Sequence, residues 1–159
     1  STHFLQMLHR TENFPSVILR LFLTYGPAQN SARFLPQIIR GCLADKVFPT
    51  SSGEQIRDFC FVEDTVQAIM HALVFPEAVG EVINVSSGKP VTIRTMINKV
   101  CNYMGSGQPS FGEVPYRAGE NMALYANVEK AEKLLHWKAK TNLDEGLQKT
   151  IEWFANEKI

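Results

Sequence analysis

Ser16–Leu23 reads SVILRLFL, a nearly continuous apolar run broken by a single charge, Arg20. Strands covered on both faces by other layers have this composition, as in a parallel sheet, and the run predicts such a strand. Two shorter runs have similar character, Asp58–Val62 (DFCFV) and Glu81–Ser86 (EVINVS). Helical spacing alternates with them. Phe34, Leu35, Ile38, Ile39, Cys42 and Leu43 form one stripe, with Asn30-Ser31 placed to cap it. Val66, Ile69, Met70 and Leu73 form a second stripe, closed by Pro76 and opened by Glu63-Asp64, with Asp64 read as the cap. Thr92 precedes a third, Ile93, Met96, Ile97, Val100 and Met104. Further helices are expected over Ser1–Asn13, from Asn127 through Leu135, and over Leu143–Asn156. Val47–Gly53 reads as irregular or a short edge strand, Gly105–Gly112 as a loop and Val114–Gly119 as extended. Strands alternating with helices predict an α/β fold with a largely parallel sheet.

Composition narrows the function. The 159 residues carry 16 basic and 16 acidic side chains, which argues against binding nucleic acid through bulk charge. The same balance gives no signal for a membrane surface, and no apolar run approaches the roughly 18 residues needed to span a bilayer. Cys42, Cys60 and Cys101 are an odd set, widely spaced among apolar neighbours, which predicts free thiols and a cytoplasmic setting. His3, His9, His71 and His136 are scattered without metal-ligand spacing, and no G-x-S-x-G elbow is present. The chain opens inside an amphipathic pattern without an initiator Met, and three strands are few for a complete sheet. The expectation is a part of a longer protein.

Seven motifs, in order, resemble the C-terminal half of the extended short-chain dehydrogenase/reductase superfamily, and most closely its NAD-dependent nucleotide-sugar epimerases and dehydratases. They are Leu19–Pro27 (LRLFLTYGP), Gly53–Phe59 (GEQIRDF) with Val62-Glu63-Asp64, Ile83–Gly88 (INVSSG), Tyr116–Glu120 (YRAGE), Leu134–Trp137 (LLHW), Leu143–Leu147 (LDEGL) and Thr150–Trp153 (TIEW). The resemblance implies the C-terminal part of a Rossmann-like doubly wound fold plus a small substrate-binding subdomain. Residues 1–30 would end the core. Residues 31–159 would be mainly the subdomain, with 58–90 returning to the core sheet.

The resemblance implies an NAD- or NADP-dependent enzyme acting on a nucleoside-diphosphate sugar by hydride transfer at the sugar C4. Its partner would be its own N-terminal Rossmann half, within a homodimer. The Gly-rich turn that cradles a dinucleotide pyrophosphate and the family's Y-x-x-x-K pair do not occur in these 159 residues. The resemblance therefore gives this chain recognition rather than the acid–base chemistry, and predicts that it is inactive alone. Two other readings stand beside it, a dinucleotide-sensing module without turnover and a superfamily dehydrogenase acting on a steroid or other apolar alcohol.

Candidate site residues follow. Arg57 and Arg117 carry guanidinium groups suited to bidentate contact with phosphate oxygens, and at these motif positions the family grips the diphosphate. The residues alone also allow Arg57 to pair with a carboxylate such as Glu63, and Arg117 to be solvated. Glu120 could accept from a ribose or sugar hydroxyl. Phe48 and Thr50 fall where the family packs the nucleobase. Phe34 and Leu35 open the substrate-side helix. Leu23 replaces the family's usual Asn, which hydrogen-bonds substrate, and Thr24 could compensate. Main chain near Leu21 and Phe22 would touch the nicotinamide. Asp58 reads as a residue that orients its neighbourhood or caps a turn.

Overall fold

The apolar run at 16–23 does not form one strand. In the computed structural model, which describes residues 2–156, it follows α1 (Thr2–Glu12) and breaks at Phe22 into β1 (Ile18–Leu21) and β2 (Leu23–Tyr25). Next come α2 (Phe34–Leu43), β3 (Val47–Thr50), β4 (Ile56–Arg57), β5 (Phe59–Phe61) and α3 (Val62–Val74). A turn of 3₁₀ helix (Pro76–Ala78) precedes β6 (Val82–Val85), β7 (Val91–Thr92), α4 (Ile93–Met104) and β8 (Gln108–Phe111). The order closes with β9 (Ala123–Leu124), α5 (Glu129–Leu135) and α6 (Leu143–Asn156).

Pairing is parallel except at one ladder. β1 lies beside β6, with Ile18 opposite Val82, and β2 lies beside β5, with Leu23 opposite Phe59. β3 pairs with β8, and β4 sits between antiparallel β7 and parallel β9. The expected doubly covered strand is thus corrected. Among the described residues β1 and β2 each have one hydrogen-bonded neighbour, and Leu21 and Leu23, 48% and 38% exposed, are not covered by a second layer. The Gly105–Gly112 loop is also corrected, because β8 adds to the edge offered by β3. Its Pro109 is tolerated at a sheet edge.

β5 divides the interior into two cores. Successive side chains of a strand point to opposite faces, and all three residues of β5 are buried. Phe59 and Phe61 join Tyr25, α2, α4 and α6 in one cluster. Cys60 joins Ala68, Ile83, Val85, Leu135 and Trp137 in the other. α6 reaches the first core through Gly146, where a Cβ would collide with the Tyr25 ring.

Two buried carboxylates tie these layers together. Asp58 accepts from the Ser87 N–H at 3.1 Å, the Ser87 hydroxyl at 2.6 Å, the Gly88 N–H at 3.1 Å and the Ala126 N–H at 3.4 Å. It orients its neighbourhood, as the sequence suggests. Asp64 does not cap α3. It accepts from the N–H groups of Lys140 and Thr141, at 3.1 and 2.9 Å, and anchors the segment after Trp137.

Thr92 caps α4, its hydroxyl accepting from the Thr95 N–H at 3.0 Å. Asn30 does not cap α2. Its side chain accepts from the Ala32 N–H at 2.8 Å in a turn before the helix, and Arg33 occupies the cap position with no side-chain cap bond. α3 departs furthest from expectation. It buries Asp64, Thr65 and Ala68, while Val66, Ile69, Met70 and Leu73 face solvent.

Candidate functional site

The first core opens into a cavity of about 630 Å³ bounded by β2, the start of α2, the ends of β3 and β4, the first turns of α4 and the segment 114–120. Leu23, Thr24, Phe34, Leu35, Thr50, Arg57, Arg117 and Glu120 all line it. Phe48 does not. It packs against the first core, its ring pressed on Gly41 of α2. Leu21 and Phe22 also lie outside the cavity walls. Leu21 is exposed, and the Phe22 N–H donates to Val85 O at 3.1 Å, continuing the ladder between β1 and β6.

The cavity lining is rich in arginine. Three guanidinium groups line it, from Arg33, Arg57 and Arg117. Arg57 is positioned before any ligand arrives. Its Nη1 donates to Ile56 O at 2.8 Å, and its Nη2 pairs with Glu120 rather than Glu63. A guanidinium has five N–H donors, so others remain for an anion. Glu120 is delivered by a tight turn in which its N–H donates to Arg117 O at 3.0 Å. The same turn holds Arg117 at the cavity wall. Arg33 and Arg117 make no ion pair with the described residues. α2 begins at this wall without a side-chain cap and without an acidic residue in its first turn. The positive end of its dipole adds to the guanidinium charges.

The rest of the wall is mixed, with Leu23, Phe34, Leu35, Phe59, Ile93 and Ile97 beside the amides of Gln29, Gln37 and Gln55 and several hydroxyls. Its hydroxyls are already engaged. Thr50 Oγ1 donates to Ser51 O at 3.0 Å. Thr24 Oγ1 lies 3.3 Å from Thr65 Oγ1, whose proton goes to Phe61 O, so Thr24 is the donor of that pair. The Tyr25 hydroxyl points at Leu143 O, 3.4 Å away, and burial pushes its ionisation far above the usual tyrosine range. No group of three or more His, Cys, Asp or Glu side chains among the described residues could hold a metal ion.

Sequence reasoning missed Arg33 and Tyr116. A cation at a helix N-terminus opposes the dipole, typically by 0.3–1 kcal/mol, and that mismatch is the signal Arg33 offers. Tyr116 gives no such signal. Its hydroxyl accepts from the Glu54 N–H at 3.2 Å, a contact made only once the 114–120 segment folds back over β4.

Parallel strand pairs flanked by helices, with arginines lining a cavity at a helix start, define a protein of the α/β class. Residues 1–86 match the NAD dependent epimerase/dehydratase family, and the chain belongs to that family. It is 27% identical to the dTDP-glucose 4,6-dehydratase of Haemophilus influenzae over 166 residues, covering 97% of this chain and 49% of that protein. Among solved structures it is similar to the UDP-glucose 4-epimerase of Thermotoga maritima with UDP-glucose (TM-score 0.89, 25% identity, 97% of this chain and 50% of that one). It is also similar to the UDP-glucuronic acid 4-epimerase of Bacillus cereus in complex with UDP-glucuronic acid and NAD (TM-score 0.85, 29% identity, 96% and 49%). The chain spans about half the length of the curated relatives it matches. No helix among the described residues is long and apolar enough to cross a membrane.

Proposed function

We propose that this chain is the nucleotide-sugar-binding part of an NAD(P)-dependent epimerase, dehydratase or 4-ketoreductase. The observation that carries the reading is the convergence of Arg33, Arg57 and Arg117 on one cavity whose remaining wall offers both apolar faces and hydrogen-bonding amides and hydroxyls. A nucleoside diphosphate sugar has this division, a doubly charged centre between a base and a sugar ring. An apolar alcohol would leave the guanidinium groups without a counter-charge, which argues against a steroid dehydrogenase.

The residues present do not fit a whole dinucleotide. β5 runs straight into α3 and β7 straight into α4, with no Gly-rich turn at either junction to approach a pyrophosphate. The nicotinamide cofactor is therefore assigned to the half of the relatives' length that this chain does not span, and supplies hydride exchange there. What these residues do is bind and orient. Arg57, pre-set by Glu120, and Arg117 hold the diphosphate, with Arg33 and the start of α2 adding positive potential. The Tyr25 hydroxyl is directed at Leu143 O, and burial keeps it protonated.

Calorimetric titration with UDP, TDP, CDP and GDP tests the reading. Arg57→Ala and Arg117→Ala are each expected to weaken binding of the preferred nucleotide by about 1.5–3 kcal/mol, the range for hydrogen bonds to charged groups. Circular dichroism should stay native-like. Parent-like affinity of both variants for all four nucleotides would remove the assignment.

A further inference from the structure

Cys42 and Cys101 come from α2 and α4, which pack against each other in the first core, and their Sγ atoms lie 3.6 Å apart. Both are free thiols. Cys42 is buried on α2 and Cys101 is half-buried on α4. The contact is tightly enclosed. Gly107 (φ +87°) sits directly over Cys42, where an added Cβ would come within 2.6 Å of the sulfur. The Ser106 hydroxyl donates to Cys42 O at 2.9 Å and holds that loop in place.

The position of this pair matters as much as its separation. Ile38 stands four residues before Cys42 and Ile97 four residues before Cys101, and both isoleucines line the cavity. Residues four apart lie one above the other on a helix face. The two thiols thus occupy the turn next to the cavity wall on both helices.

We propose that Cys42 and Cys101 form an oxidisable dithiol, a modification site that closes to a disulfide and latches α2 to α4 behind the cavity wall. A disulfide needs its sulfurs about 2.05 Å apart, so closure asks for a relative movement of roughly 1.5 Å. The oxidant is a low-molecular-weight disulfide. The Cys101 thiolate, on the more accessible side, attacks one sulfur of that reagent and releases one thiolate. Cys42 then loses its proton and attacks Cys101 Sγ in the mixed disulfide, releasing the second thiolate. Two cysteine thiols lose two electrons, the reagent gains them, and the two cysteine protons end on the two released thiols. Burial and the neighbouring Cys101 push the Cys42 thiol up to about 12, which fits it to the second, enclosed step rather than the first.

Cys60 is an internal control. It is 1% exposed on β5 and faces the other core. The reduced 159-residue chain is incubated with glutathione disulfide, quenched with N-ethylmaleimide and mapped by peptide mass spectrometry. The expected result is loss of two of the three thiols and a Cys42–Cys101 cross-linked peptide. The cross-link should reverse with dithiothreitol, survive in Cys60→Ser and be absent from Cys101→Ser. Hydrogen exchange across residues 34–43 and 93–104 should slow in the oxidised chain. A stable glutathione adduct on Cys101 without ring closure, or a cross-link involving Cys60, would overturn the proposal. Unchanged exchange in the cross-linked chain would overturn the latch. The map of the unsubstituted chain decides the first point without any variant.

Discussion

Leu23 shows how one side chain can set what the cavity accepts. It lines the cavity at the start of β2, and its side chain offers no hydrogen bond. Thr24 makes up the loss only as an acceptor, because its hydroxyl proton is given to Thr65 and its carbonyl already accepts from Gln29 Nε2 at 2.8 Å. A ligand hydroxyl buried against Leu23 out of reach of those acceptors would stay unpaired, at a cost of about 1–3 kcal/mol. The expected preference is for a 6-deoxyhexose over a fully hydroxylated hexose on the same nucleotide, and Leu23→Asn should shift the ratio of dissociation constants towards the hydroxylated sugar. An unbiased parent together with an unshifted variant would reduce Leu23 to packing. Asp58 makes the opposite case, a polar side chain whose work is structural. It is 1% exposed and accepts from four donors. Asp58→Ala strands three backbone N–H groups and should lower stability by roughly 2–4 kcal/mol in urea unfolding. Asn should rescue little, since its NH₂ would face the Gly88 and Ala126 donors.

At the scale of elements, the sequence spoke clearly where a local rule decides the outcome. The short apolar run DFCFV predicts β5, and Thr92 before an apolar stripe predicts the capped start of α4. It misled where the outcome depends on neighbours. SVILRLFL reports apolarity, but not that its two halves pair with different strands. The stripe on α3 reports which face is apolar, but not what covers it. In the site, motif resemblance pointed to Arg57, Arg117 and Glu120. The Arg57–Glu120 pair was illegible because the residues lie 63 positions apart and meet only through the turn at Arg117. α3 itself carries a prediction. Val66, Met70, Leu73 and Val74 are 51, 55, 77 and 69% exposed and recur at helical spacing. Contiguous exposed apolar surface drives association. Light scattering should show association rising with concentration, and Ile69→Glu with Leu73→Glu should reduce it while unfolding stability changes by about 0.5 kcal/mol or less per site.

For the molecule as a whole, the division made by β5 separates ligand binding from the rest of the architecture. The cavity belongs to the core formed by β2, β5, α2, α4 and α6, whereas β1, β6 and α5 build the other. A nucleotide bound among Arg33, Arg57 and Arg117 should therefore stabilise the first core selectively. UDP at 100 times its dissociation constant adds about 2.7 kcal/mol by mass action, provided the unfolded chain does not bind it. The gain should appear as raised melting temperature and as slowed hydrogen exchange in α2, the first turns of α4 and segment 114–120. NAD provides the contrast. It also carries a diphosphate, so charge alone would let it compete for the arginines. Yet its pyrophosphate calls for close backbone approach at a Gly-rich turn opening a helix, and neither direct strand–helix junction of this chain provides one. Titration of the 159-residue chain with NAD should give no saturable heat and no melting shift under conditions where UDP gives both. Micromolar NAD binding that Arg57→Ala leaves untouched would mean that these residues hold a dinucleotide in some other way, and the assignment of the cofactor elsewhere would fall.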